Sequence, residues 1–203
     1  MPQYGPWVTP NKTQGSGNDT VAWSASERTG RTARQTTANF SASGVETKVL
    51  TIIQAGKAEF VSFDSATASV NKAGGTLTIT GKSNSSKLNF ALTGSNNIGL
   101  VLPSSYLANS VQTNNNAAIA GDPGADEEYP FSITFTNIPE NTSISELVSQ
   151  LTVTPNNGTA AVCNITQAAG DAYLNISPST INLTAAGTAV SVTVESNTSW
   201  NIS

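Results

Sequence analysis

Two stretches of this sequence end in nearly the same way, and their spacing constrains the fold more than any other feature. The segment VLTIIQAG contains Gln54 and the segment VCNITQAAG contains Gln167, 113 positions later. A second landmark, a Ser-Asn pair, keeps the same offset, with Asn84 in one place and Asn197 in the other. Self-similarity at a fixed period is typical of repeat architectures. We therefore predict an internal repeat of 113 residues.

This period divides the chain into one complete and two partial units. Residues 1–56 form the closing half of a unit, 57–169 a complete unit, and 170–203 the opening half of a further unit. Polar and Gly- or Pro-containing stretches at about 100–129 predict an inserted surface loop in the complete unit. A half unit leaves strand edges unpaired, which favours pairing with another chain. We expect residues 1–56 to be an attachment segment, and we expect the protein to continue past Ser203.

Alternating apolar and polar residues within the units predict β-strands. In residues 76–80, 131–135 and 190–194 every second side chain is apolar, which is the period of a strand with one buried face. Charged residues make up only 11% of the chain, and the Ser, Thr, Asn and Gly that supply its polarity favour strands and turns. The predicted fold class is all-β, a β-sandwich with immunoglobulin-like patterning. One short helical turn is predicted at 143–151.

The composition argues against several kinds of chemistry. The formal charge of −4 and the pI of about 4.7 give no reason to approach nucleic acid. The chain has no histidine, so the commonest general base and the commonest zinc ligand are missing. Cys163 lies in a strand-like run and is expected to act as a small buried hydrophobe. No apolar stretch approaches the roughly 20 residues that span a bilayer. We expect no enzyme activity, no cofactor, no metal and no membrane contact.

Two clusters of charged residues are interpreted as solvent-exposed surface. Arg28, Arg31 and Arg34 are interpreted as a solvated turn and strand face. Asp122 and the acidic run 126–128 are interpreted as a solvated loop. A calcium site is the alternative for the acidic loop, although the full spaced series of oxygen ligands is missing.

Aromatic residues provide the candidate contacts with a ligand or partner. Tyr4, Trp7, Tyr106 and Tyr129 are the candidates, because a sugar site needs exposed aromatic rings with polar neighbours. Trp23 and Trp200 are instead expected in the core, since sandwich domains commonly bury an aromatic ring of this kind. The candidate site residues are therefore all contacts with a ligand or partner, and none is a catalytic group.

The third unit contains LNISP at 174–178, VSVTV at 190–194 and SNTSW at 196–200, and residues 1–56 end in IIQAG at 52–56. In these residues the repeat resembles the BACON domain, an immunoglobulin-like module of gut Bacteroidetes proteins and of crAss-like phages. The third unit is similar to the opening half of that domain, and residues 1–56 are similar to its closing half. The complete unit departs from the pattern, because Lys87 stands where Trp200 stands in the offset frame.

The resemblance implies a function in structure or adhesion. It favours a virion protein, a head fibre or a capsid-decorating protein, which forms homo-oligomers and contacts the capsid or other virion proteins. Residues 1–56 would pair with another copy or dock on the capsid, and mucin or host glycans are a second class of ligand. The absence of a secretory signal after Met1 favours assembly in the host cytoplasm. The alternative is a carbohydrate-binding or spacer module on a bacterial cell surface.

Overall fold

The computed structural model describes residues 4–203, and this part of the chain consists of strands, turns and loops without a helix. Within this range there is accordingly no helix that is long and apolar enough to cross a bilayer. The fifteen strands are β1 (Val8–Pro10), β2 (Trp23–Ala25), β3 (Arg34–Phe40), β4 (Lys48–Gln54), β5 (Val61–Phe63), β6 (Thr67–Val70), β7 (Gly75–Ser83), β8 (Leu88–Thr93), β9 (Ser105–Ala108), β10 (Val111–Asn114), β11 (Tyr129–Ile138), β12 (Leu147–Pro155), β13 (Ala161–Gln167), β14 (Leu174–Ser177) and β15 (Thr193–Ser196).

The complete unit is a β-sandwich of two sheets. One sheet has the strand order β10-β9-β11-β7-β5, and the other has the order β6-β13-β12-β8. All pairs are antiparallel except β6 with β13, which run parallel. The all-β prediction is confirmed. The assignment of the units to an immunoglobulin-like family stays a prediction.

The core lies between these two sheets, because each strand turns one face inward. In β11 the side chains of Phe131, Ile133 and Phe135 are 1–2% exposed and alternate with Ser132 and Thr134 on the other face. A fully buried apolar side chain of this size contributes roughly 1.5–3 kcal/mol to folding. The other buried apolar residues of the core are Val61, Val70, Ile79, Leu88, Phe90, Ile98, Leu100, Tyr106, Ala108, Ile119, Tyr129, Ile138, Leu151, Val153, Cys163 and Ile165.

The flanking segments form only two-stranded sheets. β1 pairs with β2 and β3 pairs with β4 on the N-terminal side, and β14 pairs with β15 on the C-terminal side. All three pairs are antiparallel. Each of these small sheets therefore has two edges that pair with no other strand among residues 4–203.

The strand registers repeat at the offset of the sequence repeat. In β3 and β4, Arg34 pairs with Gln54, and 113 positions later in β12 and β13, Leu147 pairs with Gln167. The offset holds for all seven pairs of the β3–β4 hairpin. The pairing of β14 with β15 likewise reproduces that of β5 with β7. We call two residues 113 positions apart counterparts.

One sequence prediction about local structure is wrong, and another holds only in part. The helical turn predicted at 143–151 is absent, and β12 begins at Leu147 because its alternate residues 149, 151 and 153 face the core. The predicted surface loop at about 100–129 contains β9 and β10, which extend the five-stranded sheet, whereas residues 115–128 lie outside the named strands. The two strands form because β9 pairs with β11, which is distant in sequence, and the local polarity of the segment does not reveal this pairing.

Candidate functional site: two junctions and an open groove

Asn84 joins the complete unit to the segment before it. Its side chain is fully buried, and its Nδ2 donates to the carbonyl oxygen of Thr29 at 3.1 Å. Its Oδ1 accepts from the backbone N–H of Phe60 at 2.9 Å. Both ends of the amide are thus used, with Nδ2 on the preceding unit and Oδ1 on Phe60 of the complete unit. A buried amide needs such partners, since an unpaired one costs free energy.

Asn197, the counterpart of Asn84, makes the same hydrogen bonds one unit later. Its Nδ2 donates to the carbonyl oxygen of Thr142 at 3.1 Å, and its Oδ1 accepts from the N–H of Tyr173 at 3.0 Å. Thr142 and Tyr173 are the counterparts of Thr29 and Phe60. We call these two places the first and the second junction. Successive units are therefore connected in the same way.

Further hydrogen bonds repeat at the junctions. Lys57 N–H donates to Gly30 O at 2.9 Å, and its counterpart Gly170 N–H donates to Ser143 O at 2.7 Å. The two glutamines at the ends of β4 and β13 also match, and each binds within its own unit. Gln54 Nε2 donates to Ser26 O at 2.9 Å, and Gln167 Nε2 donates to Pro139 O at 2.8 Å. The glutamines that mark the period of the sequence thus also make equivalent hydrogen bonds.

Arginine residues reinforce the first junction. The side chain of Arg31 forms ion pairs with Asp122 and Glu59 and donates to the carbonyl oxygen of Asn84 at 3.1 Å. Arg28 pairs with Asp126 at 3.0 Å. The side chains of Arg28 and Arg31 are only 12% and 17% exposed. The interpretation of these arginines as a solvated face is wrong, because acidic residues distant in sequence cover them.

The acidic part of the insertion holds the loop at 28–32. Thr32 N–H donates to Ala125 O at 2.9 Å, and the Thr32 hydroxyl lies 2.9 Å from Oδ1 of Asp126. The hydrogen bond to Thr32, followed by that to Arg28, holds the pKa of Asp126 below its ordinary value of 3.8. A Cβ at Gly30 would collide with the backbone of Asp126, so only glycine permits this approach. The segment 122–126 is therefore a brace between units.

The second junction lacks the counterparts of these charges. Asn141 and Ile144 stand at the positions of Arg28 and Arg31. Within residues 4–203, one ion pair connects the units there, Lys72 with Asp171 at 2.5 Å, and both side chains are exposed. Exposed pairs contribute little to stability. The first junction is the more strongly braced of the two.

No protein-family model matches this sequence, and neither does any curated protein.

An open groove of about 940 Å³ lies between β1–β2 and β3. Tyr4 and Trp23 line it, with their rings edge to face and the centroids 5.3 Å apart. Ala38 and Phe40 of β3 form the opposite wall, and Lys12 pairs with Asp19 at 2.5 Å at the rim. The groove has the aromatic and polar lining that both peptide segments and sugars can use.

The four candidate contact residues are not brought together. Tyr4 lies at the groove, and Trp7 lies beneath the guanidinium of Arg34, 4.5 Å from the ring centroid. The prediction that Tyr106 and Tyr129 are exposed is wrong, because both are core residues with 3% and 2% exposure. Polar neighbours in sequence suggested exposure, but pairing within the five-stranded sheet turns both rings inward.

Burial raises the pKa values of three enclosed side chains, Tyr106, Tyr129 and Cys163. Tyr129 donates its hydroxyl to Ser85 O at 2.7 Å. Burial raises the pKa of Tyr106 to about 12 and raises that of Tyr129 as well. Burial also raises the pKa of the Cys163 thiol, which is fully enclosed. These groups stabilise the core in their neutral forms.

Trp200 does not lie in a core, although the sequence predicted it there. Its side chain is 50% exposed, because residues 170–203 contribute only the β14–β15 pair and no facing sheet covers them. Trp23 is partly buried at the groove. Within residues 4–203, no cluster of three or more His, Cys, Asp or Glu side chains could hold a metal ion. The acidic residues Asp122 and Asp126 pair with arginines instead.

Proposed function

We propose that this protein is a non-enzymatic structural component of a phage virion, a head fibre or a capsid-decorating protein that displays immunoglobulin-like units of the BACON type. Its function is to project β-sandwich units from the surface of the particle. The units contact capsid or other virion proteins at one end and present surface for adhesion to mucin or host glycans.

The recurrence of the junction is the observation that carries this proposal. Asn84 and Asn197 fix each unit on the one before it through the same hydrogen bonds. When every connection has the same geometry, each added unit extends the array in a constant direction. Such an array is suited to a fibre or spacer, in which position and reach are the function.

The brace at the first junction adds rigidity close to the proposed attachment segment. Arg28 and Arg31 connect residues of the first unit to Asp122 and Asp126 of the complete unit. Interfaces between domains that lack such contacts allow relative motion. A fibre that holds an adhesive surface away from a particle benefits from restricted motion at its base. The resemblance to BACON domains of crAss-like phages supports the assignment to a virion.

The groove favours a second candidate, a carbohydrate-binding or spacer module on a bacterial cell surface. Tyr4 and Trp23 offer aromatic rings, and the Lys12–Asp19 pair offers polar groups at the rim. Sugar rings stack on such aromatic faces while their hydroxyl groups hydrogen-bond to neighbouring side chains. This candidate uses the same array as a spacer on a cell envelope.

Mass spectrometry of gradient-purified phage particles from the source community tests the assignment. We expect peptides of this chain at a fixed ratio to the capsid protein across preparations. Absence from the particles together with recovery in bacterial envelope fractions would overturn the virion proposal in favour of the cell-surface module. A protein of unrelated abundance that is released by washing the particles would also contradict it.

A further inference from the structure

The brace at the first junction contains the one Asp-Pro pair of the sequence, Asp122-Pro123. An Asp-Pro bond hydrolyses more readily than other peptide bonds, because the aspartate carboxylate can attack the carbonyl carbon of its own residue. The tertiary amide nitrogen of proline is also a better leaving group than that of an ordinary peptide. Carboxylates act as nucleophiles in covalent catalysis in the same way.

The backbone of Asp122 is strained. Its φ is 40°, in the left-handed region that favours glycine. A residue that precedes proline is normally restricted to extended backbone, because the proline ring collides with it in other conformations. Strain of this kind is concentrated at functional sites. Hydrolysis of the bond would remove the constraint that Pro123 places on Asp122 and would release the strain.

The carboxylate of Asp122 is placed as a nucleophile. Its Oδ2 forms the ion pair with Arg31, whereas its Oδ1 is buried and has no hydrogen-bond partner among residues 4–203. An enclosed oxygen that lacks a donor is poorly stabilised, which makes it more reactive. Covalent geometry keeps it within one side-chain rotation of the carbonyl carbon of Asp122.

The carbonyl group of the same bond is activated by a hydrogen bond. The N–H of Ala125 donates to the carbonyl oxygen of Asp122 at 3.2 Å. A donor at this oxygen stabilises the negative charge that develops there when the carbonyl carbon is attacked. The N–H of Asp122 donates to the carbonyl oxygen of Ile119 at 3.1 Å, so the bond is held from both sides.

We propose that this chain hydrolyses its own peptide bond between Asp122 and Pro123. Oδ1 attacks the carbonyl carbon of Asp122 and forms a cyclic anhydride, the C–N bond breaks, and the nitrogen of Pro123 takes up a proton from the solvent. One water molecule then opens the anhydride and leaves two carboxyl groups on Asp122. The reaction occurs once in each molecule, so it is a processing event without turnover.

Cleavage would divide the brace. Asp122 pairs with Arg31, while Asp126 and Ala125 hold Thr32, and the bond lies between these two sets of contacts. After hydrolysis the two sets are no longer covalently connected. The first junction would therefore gain freedom of motion after cleavage.

The two fragments, 1–122 and 123–203, should stay associated. Strand β11 of the second fragment pairs with β7 and β9 of the first, and β12 and β13 pair with β8 and β6. The sandwich thus holds both fragments through its sheets and its core. This inference goes beyond the proposed function and does not depend on where the protein is displayed.

Incubation of the purified 203-residue chain from neutral to mildly acidic pH, in the range where circular dichroism shows it folded, tests the reaction. Intact mass and N-terminal sequencing should show fragments 1–122 and 123–203. The rate should be independent of protein concentration, and it should rise as the pH falls, because the nitrogen of Pro123 needs a proton. A chain that stays intact, or cleavage that speeds up with protein concentration as a contaminating protease would cause, would overturn the proposal.

A synthetic peptide of residues 117–128 separates the effect of the fold from the lability of the bond itself. Release of backbone strain and the donor at the carbonyl oxygen should make the folded chain react about tenfold faster than the peptide at the same pH. Equal or slower cleavage of the folded chain would show that the fold does not promote the reaction, contrary to the proposal.

Three variants test the roles of the residues. Asp122→Asn removes the nucleophile and should abolish cleavage, but it also removes the ion pair with Arg31. Pro123→Ala keeps that pair and should also abolish cleavage, because the leaving group becomes an ordinary amide. Glu127→Gln is the matched control, since Glu127 is an exposed carboxylate of the same segment and should leave the rate unchanged.

Cleavage of Asp122→Asn at the wild-type rate, or equal slowing by Glu127→Gln, would contradict the assignment of the nucleophile. All of these measurements use purified protein, so failure of the virion assignment would leave them unaffected.

Discussion

Nε of Arg31 lies 3.8 Å from Oε1 of Glu59 across the first junction, and both side chains are mostly enclosed, with exposed fractions of 17% and 11%. Glu59 also accepts hydrogen bonds from the hydroxyl groups of Ser85 and Ser86 and from the N–H of Asn157. The carboxylate is thus held at the center of a polar network. Arg31 is the member of this network that comes from residues 4–56, so the network connects the preceding unit to the complete unit.

Replacing Arg31 with alanine should destabilise the protein. The change removes the cation that faces Glu59 and Asp122, and an enclosed charge that loses its partner costs about 1–3 kcal/mol. Urea denaturation measures the free energy of unfolding. Lys48→Ala is the control, since the Lys48–Glu46 pair is 77% and 85% exposed and should contribute about 0–1 kcal/mol. An equal loss for both variants would contradict the role of Arg31.

Replacing Asn84 with alanine should loosen the first junction. The substitution leaves the carbonyl of Thr29 and the N–H of Phe60 without their partner, at a cost of about 1–3 kcal/mol. Hydrogen exchange should show faster exchange of the Phe60 amide. Asn197→Ala removes the counterpart bonds at a more exposed place, so its effect on the Tyr173 amide should be smaller. Unchanged protection of Phe60 would refute the proposed junction.

Introducing a side chain at Gly30 should release the brace. A Cβ there would overlap the backbone of Asp126, so Gly30→Ala forces the segment 122–126 away from the loop at 28–32, at a cost of about 1–3 kcal/mol. Limited proteolysis should cut the segment faster. Gly15→Ala is the control, because its Cβ would approach only the flexible side chain of Asp19, at 3.1 Å. Equal cleavage of both variants would contradict the brace.

The stability of the protein should fall at alkaline pH. Burial raises the pKa of Tyr106 from 10.0 to about 12, so above pH 10 the unfolded chain releases a proton that the folded chain retains. The stabilising contribution is complete below pH 10 and is lost as the pH rises toward about 12, at about 1.4 kcal/mol per pH unit for each such group.

Tyrosinate absorbance and urea denaturation check this pH dependence. Between these two pH values, Tyr106 and Tyr129 should stay protonated in the folded chain. Tyr129→Phe removes one titrating group, and the alkaline loss of stability should become less steep. The same variant loses the hydrogen bond to Ser85 O, worth about 1 kcal/mol at neutral pH. Ionisation of Tyr106 and Tyr129 near pH 10 in the folded chain would contradict their burial.

The all-β character was predictable because alternation is a local property. Phe131, Ile133 and Phe135 alternate with polar residues, and a strand with one buried face requires this pattern. The burial of Tyr106 and Tyr129 was not predictable in this way. It depends on pairing between β9 and β11, whose partners are far apart in sequence, and the acidic residues next to Tyr129 suggested a surface loop.

Of the two junctions, only the spacing of 113 residues between their asparagines was predictable from the sequence. Asn84 and Asn197 mark the period, but nothing in a Ser-Asn pair reveals that its amide spans two units. The pairing of Arg31 with Asp122 was equally hidden, because the two residues belong to clusters that each seemed solvated. For Trp200 the error is the opposite one. Its sequence context is typical of a core residue, but residues 170–203 do not supply a second sheet that would cover its side chain.

The parallel pairing of β6 with β13 has a mechanical consequence. The chain enters the complete unit just before β5 and β6, and it leaves the unit after β13. Tension applied at the two ends of this unit would therefore pull β6 and β13 in opposite directions along their common axis. The bonds between residues 67–70 and 164–167 would bear this load in shear, all at once instead of one after another. Resistance to force is thus concentrated in the shortest strand pairing of the four-stranded sheet.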